Sequence, residues 1–178
     1  MCIRDRLPPG QGIRLDKLVL NDVGPRLETG ALSRIGQYVG EPGEFASFED
    51  AVATMRANSQ TFGPHTDAQW ADLAQYLYPE YGGKWVKHYD LALAQALAAQ
   101  TPEELAAGEQ ILWRSYDAVS CPVLIVRGAL SDLLTPATVE EMLKRNPRAQ
   151  ALEVPGVGHA PTLIADSQLD PVAAFLLA

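Results

Sequence analysis

Cysteine is almost missing from this chain: Cys2 and Cys121 are the two among 178 residues. They stand too far apart for a Cys-x-x-Cys metal or redox motif and are too few for a disulfide scaffold, so a reducing, cytoplasmic setting is expected. Cys121 precedes Pro122 at the entry of an apolar run and reads as a buried structural thiol, because reactive cysteines need an electropositive, partly exposed setting. Positive charge is scarce as well. Fourteen Lys and Arg against 22 Asp and Glu leave a formal net charge of -8 with no basic cluster. That balance repels phosphate backbones and anionic lipid surfaces, which argues against nucleic acid and membranes as partners. No apolar run approaches the roughly 20 residues that cross a bilayer. The opening hexamer Met1-Cys2-Ile3-Arg4-Asp5-Arg6 holds three charges and no apolar run, so it is not a signal peptide. Residues 1–6 are expected to be a non-native leader, followed by a loop over 7–12. No Gly-x-Ser-x-Gly turn occurs anywhere.

What is present concentrates between Cys121 and His159. Val123-Leu124-Ile125-Val126 is a continuous, mostly β-branched run entered through Pro122 and left through Gly128, as a strand buried on both faces should be. Thr135 reads as an N-cap with Pro136 at the first helical position. Val139, Met142 and Leu143 give that helix one apolar face, and Lys144, Arg145, Asn146 and Pro147 close it. Ala151 to Val154 reads as the next strand. Strand, helix, strand in one sheet makes a parallel crossover. Asp132 and His159 then lie just past the C-terminal ends of parallel strands, where active-site groups of open α/β sheets collect. Asp132 is the candidate catalytic acid and His159 the candidate catalytic base. Asp22 also follows a strand, Lys17 to Leu20, and is the alternative acid.

Three segments carry a resemblance. Val126-Arg127-Gly128 running into Ser131-Asp132, Val154-Pro155-Gly156-Val157-Gly158-His159-Ala160-Pro161, and Leu18-Val19-Leu20-Asn21-Asp22-Val23-Gly24-Pro25 resemble the acid, histidine and post-nucleophile strand segments of the α/β-hydrolase superfamily. The resemblance implies an incomplete α/β-hydrolase fold, with parallel strands flanked by helices and a helical cap inserted before the acid-bearing strand. It also implies that the nucleophile precedes the acid and the histidine, so the chain is expected to be a fragment whose nucleophile lies upstream. The expected division is a first core strand segment over 7–25, a helical cap over 26–115 and a C-terminal α/β core over 116–178.

Residues 26–115 switch from β-branched runs to helical spacing, and are expected to hold helices without a sheet of their own. Leu32, Ile35 and Val39 share one face; Ala51, Val52 and Met55 share another behind Ser47 as N-cap. Thr66 with Gln69 begins a third helix, and Thr101-Pro102-Glu103-Glu104 is a capping box with proline at the first position. The segment is expected to return to the sheet at Trp113 to Asp117. Twelve of the 13 aromatic residues fall between Tyr38 and Tyr116. Helices must bury aromatics simply to pack, yet as a group these favour a small apolar substrate. Trp70, Trp85, His88 and Tyr89 are the candidates to line its pocket.

The function implied is hydrolysis of a small apolar ester or related carbonyl compound, or of a carbon-carbon bond. A nucleophile would be activated by His159, held in the correct tautomer by Asp132, with no metal or organic cofactor. Within the same fold, an aspartate nucleophile would instead give an epoxide hydrolase or haloalkane dehalogenase. From a different class, a non-catalytic cap-and-sheet module would bind an apolar ligand or a partner chain. The 178 residues alone are expected to be inactive, since they supply neither nucleophile nor oxyanion donors.

Overall fold

In the computed structural model the central strand, β5 (Val123–Gly128, numbered along the chain), is buried at all six positions. It runs parallel to β1 (Leu18–Asn21) on one side and to β6 (Ala149–Val154) on the other, in a sheet of order β1-β5-β6. The structure describes residues 15–178 apart from 27, 37 and 42, and omits the side chains of 96–98. The expected leader over 1–6 and loop over 7–12 lie outside the described residues.

Period-two alternation sends the residues of β5 into two separate cores. Val123 and Ile125 pack with Leu20 against Trp113 and Tyr116 of α5 (Pro102–Asp117) and Val139 and Met142 of α6 (Pro136–Arg145). Leu124 and Val126 face the other way, toward Val154, Val157 and Val172, the last on α7 (Asp166–Leu177). Helices thus cover both faces of the parallel sheet, as a strand buried at every position requires. Each fully buried Val or Ile contributes roughly 1.5–3 kcal/mol. The helix between β5 and β6 starts as expected: the Thr135 hydroxyl accepts from Thr138 N, and Pro136 fills the first turn.

Between β1 and β5 run α1 (Thr29–Gly36), α2 (Phe48–Asn58), a 3₁₀ turn at Gln60–Phe62, α3 (Asp67–Leu77), α4 (Leu93–Ala98) and α5. The caps fall where the sequence puts them. Ser47 accepts from Asp50 N, and Thr66 with Gln69 and Thr101 with Glu104 form reciprocal capping boxes. One expectation needs correction. The segment does have a sheet of its own, an antiparallel one of order β2-β4-β3, formed by β2 (Glu44–Phe45), β4 (Lys84–Val86) and β3 (Glu80–Tyr81). Strands of two or three residues are too short to show alternation. The legible signal was Gly82-Gly83, whose φ of +61° and +78° suit the two-residue hairpin between β3 and β4. The return to the parallel sheet does fall at Trp113 to Asp117: this is the C-terminal end of α5, where Trp113 and Tyr116 pack with Leu20, Val123 and Ile125. Burial there pushes the Tyr116 hydroxyl up to about 12, and it donates to Met142 O at 3.0 Å.

The intervening segment holds its own core of Ala51, Met55, Trp70, Ala74 and Tyr78, with Phe45, Phe48 and Trp85 packed around it. Among the described residues no helix is long and apolar enough to cross a membrane.

Candidate active site

The loops that leave β1, β5 and β6 meet at Gly128, the last residue of β5. A Cβ there would lie 2.3 Å from Gly158 O and 2.6 Å from Val157 O, so only glycine lets the backbone of the histidine loop cross the strand end this closely. Ala129 N and Leu130 N donate to Val154 O and Val157 O, tying the loop after β5 to the loop after β6. Arg127, itself buried, donates to Leu134 O, Ala129 O and Glu153 Oε2, which pins the whole turn 128–134.

Asp22 is the residue these loops enclose. It is 0% exposed, and its φ of +54° is a left-handed conformation that few residues besides glycine adopt, at a cost of about 1–3 kcal/mol. Three hydrogen bonds hold it. Gly128 N donates to Oδ1 at 2.9 Å; the Ser131 hydroxyl donates to Oδ2 at 2.6 Å; His159 Nδ1 meets the same Oδ2 at 2.8 Å. A carboxylate only accepts, so Nδ1 is the donor in this bond, which leaves Nε2 outside it. The histidine loop is fixed further by Asn21 Nδ2 donating to Pro161 O and by Gly158 N donating to Thr61 O.

The expected contact between Asp132 and His159 is not made. Asp132 is captured by Arg34 of α1, whose Nε and Nη2 each reach a carboxylate oxygen at 2.7 Å, and its side chain is 49% exposed. The hydrogen bond from Arg34 holds the Asp132 carboxyl below its ordinary value, with a smaller Coulombic contribution from the nearby His159. The same bond raises Arg34. The alternative acid, Asp22, is therefore the one that the structure brings to the imidazole.

His159 opens onto a cleft of about 450 Å³ between the strand ends and the intervening segment. That size falls within the range of small-molecule sites. Of the four expected lining residues, His88 and Tyr89 line this cleft and the two tryptophans do not. Trp70 is buried in the core of the intervening segment, its ring 4.9 Å from His65 and 6.3 Å from Phe62. Trp85 packs on Phe48 at 4.7 Å. Met55, Phe62 and Tyr78 supply the apolar wall that the tryptophans were expected to give.

Sequence reasoning also missed Ser131, Arg127 and His65. Ser131 figures there only as the neighbour of Asp132, yet its hydroxyl anchors Asp22 while accepting from Leu133 N and Leu134 N. His65 Nε2 lies 2.7 Å from Thr162 Oγ1, linking the intervening segment to the histidine loop. Nothing in the sequence near His65 marks it. Cys121 is buried at the N-terminal approach to β5, the end of the strand away from His159. Among the described residues no group of three or more His, Cys, Asp or Glu could hold a metal ion.

Known proteins repeat this architecture. The chain is 48% identical over 157 residues to a 3-hydroxybutyrate-oligomer hydrolase of Cupriavidus necator, a match covering 86% of this chain and 54% of that protein. The chain thus spans about half the length of that relative. Among solved structures, an alpha/beta hydrolase from Novosphingobium aromaticivorans superposes with a TM-score of 0.77 at 28% identity, covering 92% of this chain and 57% of the other. E-2-(acetamidomethylene)succinate hydrolase gives 0.71 at 23% identity with 92% and 58% covered, and shows the fold alone. The profile described as "Alpha/beta hydrolase family" matches residues 10–175, from before β1 into α7. A match over that span takes in all three parallel strands and the loops that carry Asp22, Asp132 and His159, and the chain belongs to the alpha/beta hydrolase family.

Proposed function

We propose that this chain supplies the histidine and the acid of an ester-hydrolysing site, with His159 as general base and Asp22, in place of the expected Asp132, as the carboxylate that orients it. The observation that carries the reading is the 2.8 Å bond from His159 Nδ1 to the fully buried Asp22. With Nδ1 protonated, Nε2 takes the proton of an attacking hydroxyl, and Asp22 stabilises the imidazolium that forms. The nucleophile adds to the ester carbonyl. Collapse of that adduct breaks the C–O bond, and the leaving alcohol takes the proton back from His159. Water then attacks the acyl intermediate with His159 again as base, releasing the acid and restoring the nucleophile.

The nucleophile in this reading comes from a segment outside these 178 residues. No Gly-x-Ser-x-Gly turn occurs in them, Ser131 is committed to Asp22, and Cys121 lies at the wrong end of β5. The intervening segment acts as the lid of the site, and its aromatic and apolar residues in the cleft suit a small ester with an apolar body. The Cupriavidus necator relative is named for 3-hydroxybutyrate oligomers. Units of a hydroxy acid joined head to tail are joined by ester bonds, so we assign short hydroxy-acid esters as the substrate class.

The test compares the 178-residue chain with the full-length protein on p-nitrophenyl butyrate and on the linear dimer of 3-hydroxybutyrate. The full-length protein turns both over, His159→Ala abolishes turnover, and the 178-residue chain hydrolyses the p-nitrophenyl ester no faster than free imidazole. Turnover by the 178-residue chain that His159→Ala removes would sink the assignment of the nucleophile to another segment. Full turnover in the His159→Ala full-length protein would sink the role of His159.

A further inference from the structure

Although the whole chain carries a formal charge of -8, no Asp or Glu is found among the described residues that line the His159 cleft, while Arg34, Lys87 and His88 all are. The two permanent cations differ in what they have left to give. Arg34 is neutralised by Asp132 through two bonds of 2.7 Å. Lys87 meets no carboxylate among the described ion pairs: its ammonium donates to Tyr38 O at 3.2 Å and Glu41 O at 2.9 Å and sits 5.8 Å from the centre of the Tyr89 ring. Backbone carbonyls satisfy two of its three N–H donors without cancelling its charge. Tyr38 and Tyr89 are themselves cleft residues, so the ammonium lies on the cleft wall.

The position of Lys87 is fixed before any ligand arrives. Its N–H donates to Gly43 O, extending the ladder of β4 and β2, and its aliphatic stem lies over Gly43, where a Cβ would stand 2.7–2.9 Å from the Lys87 Cγ, Cδ and Cε. Holding the stem in place removes much of the rotamer entropy that a lysine loses when it binds an anion. A half-buried, pre-positioned and uncompensated ammonium beside tyrosines is suited to one monoanionic oxygen group and unsuited to a neutral apolar one.

We propose that Lys87 is the specificity-determining residue of the cleft and holds the free carboxylate of an ester substrate whose reacting carbonyl lies at His159. This rests on the ester-hydrolase reading for the second half of the statement only; the carboxylate site itself is a property of the described chain. The apolar residues then contact the body of the ligand, and the substrate class narrows to esters of small acids that keep one carboxylate free.

Binding and turnover test it separately. By calorimetry, the 178-residue chain binds 3-acetoxybutyrate more tightly than the neutral, equally sized 3-acetoxybutanamide, by the roughly 10- to 100-fold that a charge-assisted hydrogen bond is worth. Lys87→Met, which keeps the stem over Gly43, removes this preference, and Lys87→Arg, which keeps the charge, restores most of it. In the full-length protein the same pair of ligands shows the effect in KM, and Lys87→Met removes the difference in KM between them. Equal affinity of the unsubstituted chain for carboxylate and amide overturns the proposal, whether or not any variant folds. So does a Lys87→Met loss of the same size on both ligands, which would make Lys87 a tie for residues 38–43 and nothing more. Selective binding without turnover of any ester in the full-length protein would leave Lys87 as assigned and remove the hydrolase reading instead.

Discussion

Two aspartates leave parallel strands at the same edge of the sheet, and the molecule treats them in opposite ways. Asp22, after β1, is sealed beneath the turn that follows β5 and accepts from Gly128 N, Ser131 Oγ and His159 Nδ1. Asp132, after β5, stands nearly half exposed, with its charge met by an arginine from α1. Position at a strand end brings both close to the histidine. What separates them is the set of donors around each carboxylate. Backbone and hydroxyl donors leave Asp22 with net charge to offer the imidazole, whereas a bidentate guanidinium has already taken what Asp132 could offer.

The comparison breaks most visibly if the two residues are neutralised in turn in the full-length protein. Asp22→Asn should lower kcat by something on the order of 10⁴-fold with little change in KM, because an amide donates toward Nδ1 and leaves the imidazole in the wrong tautomer. Asp132→Asn should lower it by less than about threefold. An independent readout exists in the 178-residue chain: nitrogen NMR of His159 should find the proton on Nδ1 in the parent and in Asp132→Asn, and on Nε2 in Asp22→Asn. If Asp132→Asn moves the tautomer and Asp22→Asn does not, the two roles are reversed.

Gly128 sharpens the same contrast from the packing side. Gly128→Ala should destabilise the chain by about 1–3 kcal/mol or more, since the nearest atoms to the new methyl are backbone oxygens of the histidine loop, which cannot swing aside as a flexible side chain would. Urea unfolding measures this. An unchanged midpoint would mean that the crossing of the two loops is looser than described. Ser131→Ala should cost less in stability, roughly 1–2 kcal/mol by chevron or equilibrium unfolding, because it removes one donor to Asp22 and the acceptor for Leu133 N and Leu134 N. Its effect on kcat should be about tenfold, between those of the two aspartate variants. An effect as small as that of Asp132→Asn would show that Asp22 is held without it.

What could be read from sequence alone divides along the same line. The β5 strand, the α6 helix behind Thr135-Pro136 and the capping boxes at Thr66 and Thr101 were legible because each is decided by residues within a few positions of one another. The placement of His159 just past a parallel strand was legible because its loop follows an apolar run and is set off by glycines. Which carboxylate contacts it was not, since Arg34 acts on Asp132 from 98 residues away and Asp22 reaches His159 across 137. The tryptophans misled for a related reason. Trp70 and Trp85 are the largest apolar groups of their elements, and the intervening segment needed them for its own core before any cleft could use them.

The smallest expected effect concerns the pair that Asp132 does form. Arg34 holds the Asp132 carboxyl below its ordinary value of 3.8 in the folded chain. A depressed folded value means that the unfolded chain binds the proton more readily, so the pair stabilises the fold above the ordinary value and loses that contribution as pH falls below it, through the depressed folded value. Both side chains are close to half exposed, at 44% and 49%, which limits the contribution to the roughly 0.2–1 kcal/mol of a surface pair. Arg34→Met should therefore lower the melting temperature at pH 7 by at most about 4 °C, a gap that narrows below pH 4 and in high salt. Since the aspartate is occupied by the arginine and not by the histidine, the same variant should leave the His159 tautomer and the rate on neutral esters nearly unchanged. A fall in rate comparable to that of Ser131→Ala would mean that Arg34 holds the site together through α1, and the two strand-end carboxylates would then be coupled parts of one arrangement.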